Sequence, residues 1–173
     1  MAVLYAIFWT VWALGILLVL VYGAVLLFGA PYFPTLKKSL KPALDLLELK
    51  PGQVVYDLGC GDGRFLKAAA KAGLTAIGYE LNPFVAFYAW ATTRRYGRRV
   101  QVHCGNFWHA DITQADGVFI FLITRYMTQF DKFMLAQNFK KPLPVVSHAF
   151  KIPQRQIIKK SGAMFLYIYR PLA

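Results

Sequence analysis

Seven consecutive residues, Asp57-Leu58-Gly59-Cys60-Gly61-Asp62-Gly63, carry the densest chemical signal in this chain of 173 residues. Glycine at alternate positions lets the backbone turn tightly and meet a ligand where any side chain would collide. A helix that follows such a loop offers its N-terminal amides to the same ligand. Asp57, Gly59, Cys60, Gly61 and Gly63 are therefore candidate contacts. The third glycine comes one residue earlier than in a dinucleotide fingerprint, which points to a ligand without a pyrophosphate. Two more signals lie downstream. Glu80, with Asn82 beside it, can accept both hydroxyls of a ribose. Gly105-Asn106-Phe107 pairs an amide oxygen able to accept from an adenine amine with an apolar face and a backbone N–H. Each signal alone is weak. Three of them at the ends of consecutive strands describe a nucleoside site.

Those residues need an open sheet to bring them to one edge, and the chain alternates in the required way. Residues 54–56 read as a first strand and 64–71 as its helix. Residues 75–79 and 83–96 make the next strand and helix, with Pro83 at the helix start. A short third strand covers 100–103. The apolar run at 117–123, GVFIFLI, reads as a strand covered on both faces. A helix around 128–139 and a fifth strand at 144–147 come next. Alternation over 163–170 predicts an antiparallel strand closing the sheet. Before all of these, Pro42 fits the first turn of a shorter helix whose buried side is Leu40, Leu44, Leu47 and Leu49. The fold class is α/β, a parallel-rich sheet with helices on both faces.

The first thirty residues carry no charged side chain, so the formal net charge of +12 lies wholly beyond Ala30. Residues 2–30 are long enough to cross a hydrocarbon core of about 30 Å. A cleaved leader would need a basic start and a shorter apolar run. Lys37, Lys38 and Lys41 follow this segment closely, and the positive-inside rule then puts the remainder on the cytosolic side. Tyr5, Trp9 and Trp12 at one end, with Tyr32 and Phe33 at the other, suit interfacial positions. The expected division is an anchor at 1–30, a juxtamembrane segment and helix at 31–50, and a ligand-binding domain at 51–173. Cys60 and Cys104 make no disulfide framework and fit a reducing compartment.

The loop at 57–63, the acidic end of strand two and the Gly-Asn-Phe segment resemble those of the class I, seven-strand, Rossmann-like S-adenosylmethionine methyltransferases. The likeness narrows with Pro31-Tyr32-Phe33-Pro34-Thr35, Tyr79-Glu80-Leu81-Asn82-Pro83-Phe84, Asn106-Phe107-Trp108 and Val145-Val146-Ser147-His148-Ala149-Phe150. With an N-terminal apolar anchor, these resemble the small protein-lysine N-methyltransferases whose eukaryotic members act on the adenine nucleotide translocase and on the membrane-ring protein of ATP synthase. The resemblance implies that residues 57–63 cradle the methionine moiety of S-adenosylmethionine, that Glu80 holds the ribose, and that Asn106 and Phe107 hold the adenine. Two positions depart from the family pattern. Asn106 stands where relatives usually carry Asp, and Leu122-Ile123-Thr124-Arg125-Tyr126 replaces a Gly-x-Pro-like segment beside the acceptor.

Methyl transfer from a sulfonium is an in-line displacement that asks chiefly for alignment and exclusion of water. A lysine acceptor must be neutral when it attacks, so a proton acceptor or a pKa-lowering environment is expected. Asp111, Tyr126 and His148 are the candidates. His103, Cys104 and His109 match no metal-ligand spacing, and no metal is expected. The expected partners are membrane lipids around the N-terminal helix and a membrane-protein substrate. A lipid or small-molecule amine is the alternative acceptor, and a non-enzymatic membrane scaffold is a further one. Nucleic acid ranks last: Arg94, Arg95, Arg98 and Arg99 lie at a helix end, where cations complement the helix dipole.

Overall fold

Asp57 and Glu80 can act together only if the strands that end in them lie side by side, and they do. The computed structural model describes residues 1–28 and 37–171. Its strands are β1 (Val54–Leu58), β2 (Thr75–Glu80), β3 (Val100–Cys104), β4 (Gly117–Ile120), β5 (Leu143–His148), β6 (Lys159–Ser161) and β7 (Met164–Tyr169). They form one sheet in the order β3-β2-β1-β4-β5-β7-β6. The strands from β3 to β5 run parallel, while β7 is antiparallel to both β5 and β6. The chain steps outward from β1 to β3 and then returns to β4. That reversal opens a crevice at the carboxyl ends of β1 and β4, the place where open α/β sheets take ligands.

Helices α2 (Lys37–Leu47), α3 (Arg64–Lys71) and α4 (Pro83–Thr93) lie in one layer. Ala43, Leu46 and Leu47 of α2 join Phe65, Leu66 and Ala69 of α3 over Val55, Ala76, Phe119, Val146 and Leu166 of the sheet. Phe65 stacks on Phe119 with centroids 4.2 Å apart. Two sheet positions must be glycine for this layer to come so close. A Cβ on Gly78 would lie 2.6 Å from Leu66 Cδ1 and 2.8 Å from Cys60 Cβ, and one on Gly117 would lie 2.9 Å from Leu49 Cδ1. Alternation along β7 sends Tyr167 and Tyr169 to the other face, opposite Met164 and Leu166. There the Tyr169 hydroxyl donates to Asp131 Oδ1 at 2.6 Å, on helix α5 (Thr124–Ala136). Helices thus cover both faces, as expected.

Several boundaries differ from the sequence reading, each for a local reason. β4 stops at Ile120 rather than residue 123, because its partners stop there: Leu58 of β1 and Ser147 of β5 are the last residues paired with Ile120. Helix α5 begins at Thr124, four residues early, and buries Met127, Phe130 and Met134 on a single stripe. α4 gives way at Thr93, whose hydroxyl donates to the Ala89 carbonyl at 2.7 Å, and a 3-10 segment over Arg94–Arg99 turns the chain into β3. Pro42 sits inside α2 rather than in its first turn. The edge strand β6 is an addition: three polar residues offer no alternating pattern to read.

The chain divides into two compact units, Met1–Pro31 and Tyr32–Ala173. Within the first, α1 (Ala2–Phe28) is apolar all round, with a mean hydropathy of 2.4 over Ala2–Gly23. By length and composition it is one helix able to cross a membrane. The motif at 31–35, with Tyr32 and Phe33, lies outside the described residues.

The two sheet glycines make packing testable. Gly78→Ala should lower the unfolding free energy by about 1–3 kcal/mol through overpacking. Gly105→Ala, where a Cβ would meet nothing within 4 Å, should stay within about 0.5 kcal/mol of the parent. Denaturant titration of both variants checks the pair; equal losses would refute the close approach at Gly78.

Candidate functional site

The glycine loop is held by the strand next to it. Gly59 N and Cys60 N both donate to the Tyr79 carbonyl of β2, at 2.9 and 2.8 Å. One residue on, Gly61 N donates to Glu80 Oε2 at 3.0 Å, while Asn82 N donates to Glu80 Oε1 at 2.9 Å. Gly63 N closes the turn on the Cys60 carbonyl at 2.9 Å. Gly59 and Gly63 adopt φ of 94° and 72°, which side chains rarely tolerate. A Cβ on Gly59 would meet nothing within 4 Å, so the loop presents bare backbone to open space there. At Gly63 the reason is packing, with Ala89 Cβ and Thr93 Cγ2 each 3.3 Å from where a Cβ would stand.

Two carboxylates flank this loop. Asp57 is 3% exposed and has no hydrogen-bond partner among the described residues. Burial, with the charges of Glu80 and Asp62 adding to it, pushes its carboxyl well above the ordinary value. Glu80 is also raised by burial, with amide hydrogen bonds from Asn82, Gly61 and Leu81 pulling the other way. Its two oxygens have about four lone-pair sites, so these amides leave capacity for a further donor. An ionised Asp57 would be a buried negative charge to be met, and Glu80 has acceptor capacity to spare. A ligand with a cationic group and neighbouring hydroxyls satisfies both.

The other cofactor candidates divide into those that face the crevice edge and those used by the fold. Gly105 N donates to the Glu80 carbonyl at 2.9 Å and brings the end of β3 against that of β2. Asn106 Oδ1 accepts from Trp108 N at 3.1 Å and caps a 3-10 turn over Phe107–His109. The Phe107 ring lies 4.3 Å from that of Trp108 and 6.2 Å from that of Phe133. Cys60 turns its thiol into the core beside Gly78, and Asn82 Oδ1 caps α4 by accepting from Phe84 N and Val85 N. What these two side chains visibly do is fix the loop and α4.

The catalytic candidates are not gathered at one point. His148 ends β5, 8% exposed, with Nδ1 buried and without a hydrogen-bond partner among the described residues. Burial lowers its pKa, so the ring is neutral near neutral pH. Its ring lies 4.3 Å from that of Phe121, just beyond β4. Tyr126 stands in the first turn of α5, bonded to Arg125 and 6.4 Å from the Trp108 ring. Asp111 is separate. It is solvent-exposed on the segment that returns from β3 to β4, and its Oδ1 accepts from Thr113 N at 2.9 Å. Phe121 and Phe133 were missed as rim residues; placing α5 at Thr124 sets Tyr126 and Phe133 seven residues apart on one helix side. Among the described residues no cluster of His, Cys, Asp and Glu can hold a metal.

Known proteins resemble this chain in sequence and in fold. The sequence profile of the ANTKMT methyltransferase domain matches residues 57–159. A protein-lysine N-methyltransferase of Saccharolobus islandicus is 35% identical over 147 residues, 80% of this chain and 91% of that protein. The adenine nucleotide translocase lysine N-methyltransferase of Mus musculus is 33% identical over 139 residues, 76% of this chain; the match spans only 58% of that relative. Among solved structures, an RNA methyltransferase from Salinibacter ruber in complex with S-adenosyl-L-homocysteine superposes with a TM-score of 0.72 at 26% identity, over 80% of this chain and 94% of that one.

The raised Asp57 carboxyl sets a sign for stability. A carboxyl whose pKa is raised on folding contributes stability that is complete below the unfolded value, near 3.8, and is lost as pH rises through the folded value. Asp57→Asn should therefore flatten the decline in stability of the ligand-free protein between pH 4 and 8, and be at least as stable at the upper end. Thermal unfolding across that range is the measurement. A variant that melts lower than the parent at pH 8 would contradict an uncompensated charge.

Proposed function

The chain belongs to the ANTKMT methyltransferase domain family, and on that premise we propose that it is a membrane-bound enzyme methylating lysine side chains of a membrane protein. It is an S-adenosylmethionine-dependent methyltransferase. The residues present fit that cofactor: a buried carboxylate without a partner at Asp57, bare backbone facing open space at Gly59, and acceptor capacity at Glu80. Bound S-adenosylmethionine supplies an electrophilic methyl group on a positively charged sulfur. In this reading Asp57 holds the amino group of the methionine moiety, Glu80 the ribose hydroxyls, and Asn106 with Phe107 the adenine. Gly59, Gly61 and Gly63 keep the loop free of side chains, while Cys60 and Asn82 hold it in place from behind.

The single observation that carries the reading is Asp57, a buried carboxyl near the end of β1 without a side-chain hydrogen-bond partner among the described residues, which a cationic group of a ligand would satisfy. The acceptor side lies toward β4 and β5. A neutral His148 with a free Nδ1 can take the proton that a lysine ammonium must lose before it attacks. The rings of Trp108 and Tyr126 offer a face to the ammonium beforehand. Asp111 shapes its turn. Lysine as acceptor is supported by the names of the archaeal and mouse relatives. Membrane placement is supported by α1, about 40 Å long at 1.5 Å per residue against a hydrocarbon core of about 30 Å. The lysines after it favour a cytosolic or matrix-side enzyme, divided as anchor at 1–30, linker and helix at 31–50, and catalytic domain beyond.

Incubating the full chain and a methyl-labelled donor with membranes from cells lacking the protein should place label in the protein fraction, on lysines gaining one to three methyl groups by mass spectrometry. Label confined to lipid would select the lipid-amine alternative, and no label together with no donor binding would select a scaffold. In the same assay Glu80→Gln should weaken donor binding by about 10-fold or more, the worth of a charge-assisted hydrogen bond. Removal of residues 1–30 should leave donor binding intact and impair methylation in intact membranes.

A further inference from the structure

Helix α4 wears its large side chains on the outside. Its buried residues are Ala86, Ala89 and Thr93, small enough for the helix to lie against Gly63 of the loop and against β2 and β3. Outward stand Phe84, Phe87, Tyr88 and Trp90, at 59, 65, 56 and 45% exposure. Positions 84, 87 and 88 obey the i, i+3, i+4 rule and share one side. Trp90 flanks them, its ring 5.6 Å from that of Phe87. A soluble helix that buried its apolar side would place these residues inward. An exposed aromatic patch of this kind marks a contact surface.

The arginines just beyond the patch name its occupant. Arg94, Arg95, Arg98 and Arg99 are all exposed, and none forms an ion pair among the described residues. Their ring partners are Trp90, 4.8 Å below Arg94, and Tyr96, 5.2 Å below Arg95. No acidic residue occurs between Glu80 and Asp111. Aromatic rings beside unpaired arginines match the two layers of a bilayer surface. Rings settle at the boundary of acyl chains and head groups, and guanidinium groups bind head-group phosphates. We propose that this face of α4, with the four arginines, docks the catalytic unit onto an anionic phospholipid surface. The inference rests on the enzyme being membrane-bound and adds a second attachment to α1. Because Asn82 caps α4 and also donates its N–H to Glu80, the docked helix is the one that leads out of the ribose-side carboxylate.

The test uses the full chain carrying Cys104→Ser, with an environment-sensitive fluorophore on Phe87→Cys or, as reference, on the exposed Thr128→Cys of α5; Cys60 is buried and reacts poorly. The protein is reconstituted into vesicles of phosphatidylcholine alone or with phosphatidylglycerol, each containing a lipid-borne quencher. Quenching at position 87 in the anionic vesicles, absent at 128, is expected. Arg94→Gln with Arg95→Gln should reduce the ratio of docked to undocked molecules about 5-fold per arginine, about 25-fold together, while donor affinity is retained. Position 87 as wet as 128 in anionic vesicles overturns the proposal, as does shielding that appears only on adding a membrane protein or RNA. Flotation of the same samples separates the two readings. A chain that fails to float removes both, and one that floats with position 87 in water removes the α4 assignment alone.

Discussion

One carbonyl organises the site. Tyr79 O accepts from Gly59 N and Cys60 N together, and the Glu80 carboxylate beside it accepts from Gly61 N and Asn82 N. A loop with three glycines would otherwise lose more conformational entropy on ordering than almost any other segment of its length. Anchoring it to the end of β2 fixes its shape before any ligand arrives. The arrangement also spends part of Glu80's acceptor capacity on the protein itself, which makes Glu80 a strut of the loop. Gly78, one residue before that carbonyl, must lack a side chain for Cys60 and Leu66 to pack underneath.

Much of this was legible in the residues, and the reasons are physical. Strand and helix signals over 54–104 succeed because β1 to β3 are short parallel strands bounded by glycine or proline. The antiparallel ending was equally plain, since β7 alternates with both faces buried. Legibility failed where tertiary partners decide. The run at 117–123 is uniformly apolar, and nothing local says that hydrogen bonding stops at Ile120, where the neighbouring strands end. Helix α5 was misplaced by four residues because Leu122 and Ile123 extend the apolar run up to its first turn. At the site, backbone roles read well and side-chain roles less so. Residue type marks Cys60 and Asn82 as capable of chemistry, but only packing reveals that one faces the core and the other caps a helix.

The two halves of the site differ in finish. Around the glycine loop, the amides of Gly59, Cys60, Gly61 and Gly63 all have partners, while the Asp57 carboxyl is buried without a side-chain partner among the described residues. Toward β4 and β5, His148 keeps a nitrogen without a partner among the described residues, and the rings of Phe107, Trp108, Phe133 and Tyr126 meet edge-on or tilted. Such a surface binds through shape and ring faces more than through fixed hydrogen bonds.

Helix α2 is the first described element after α1, and it is no ornament. Ala43, Leu46 and Leu47 are buried in the same core as Phe65 and Phe119, and Leu49 and Leu47 close over Gly117. Whatever pulls on the chain upstream of residue 37 is therefore felt first at the middle of the sheet, not at the glycine loop. Severing the chain ahead of α2 would leave this core whole; severing it behind α2 would pull out part of the keystone.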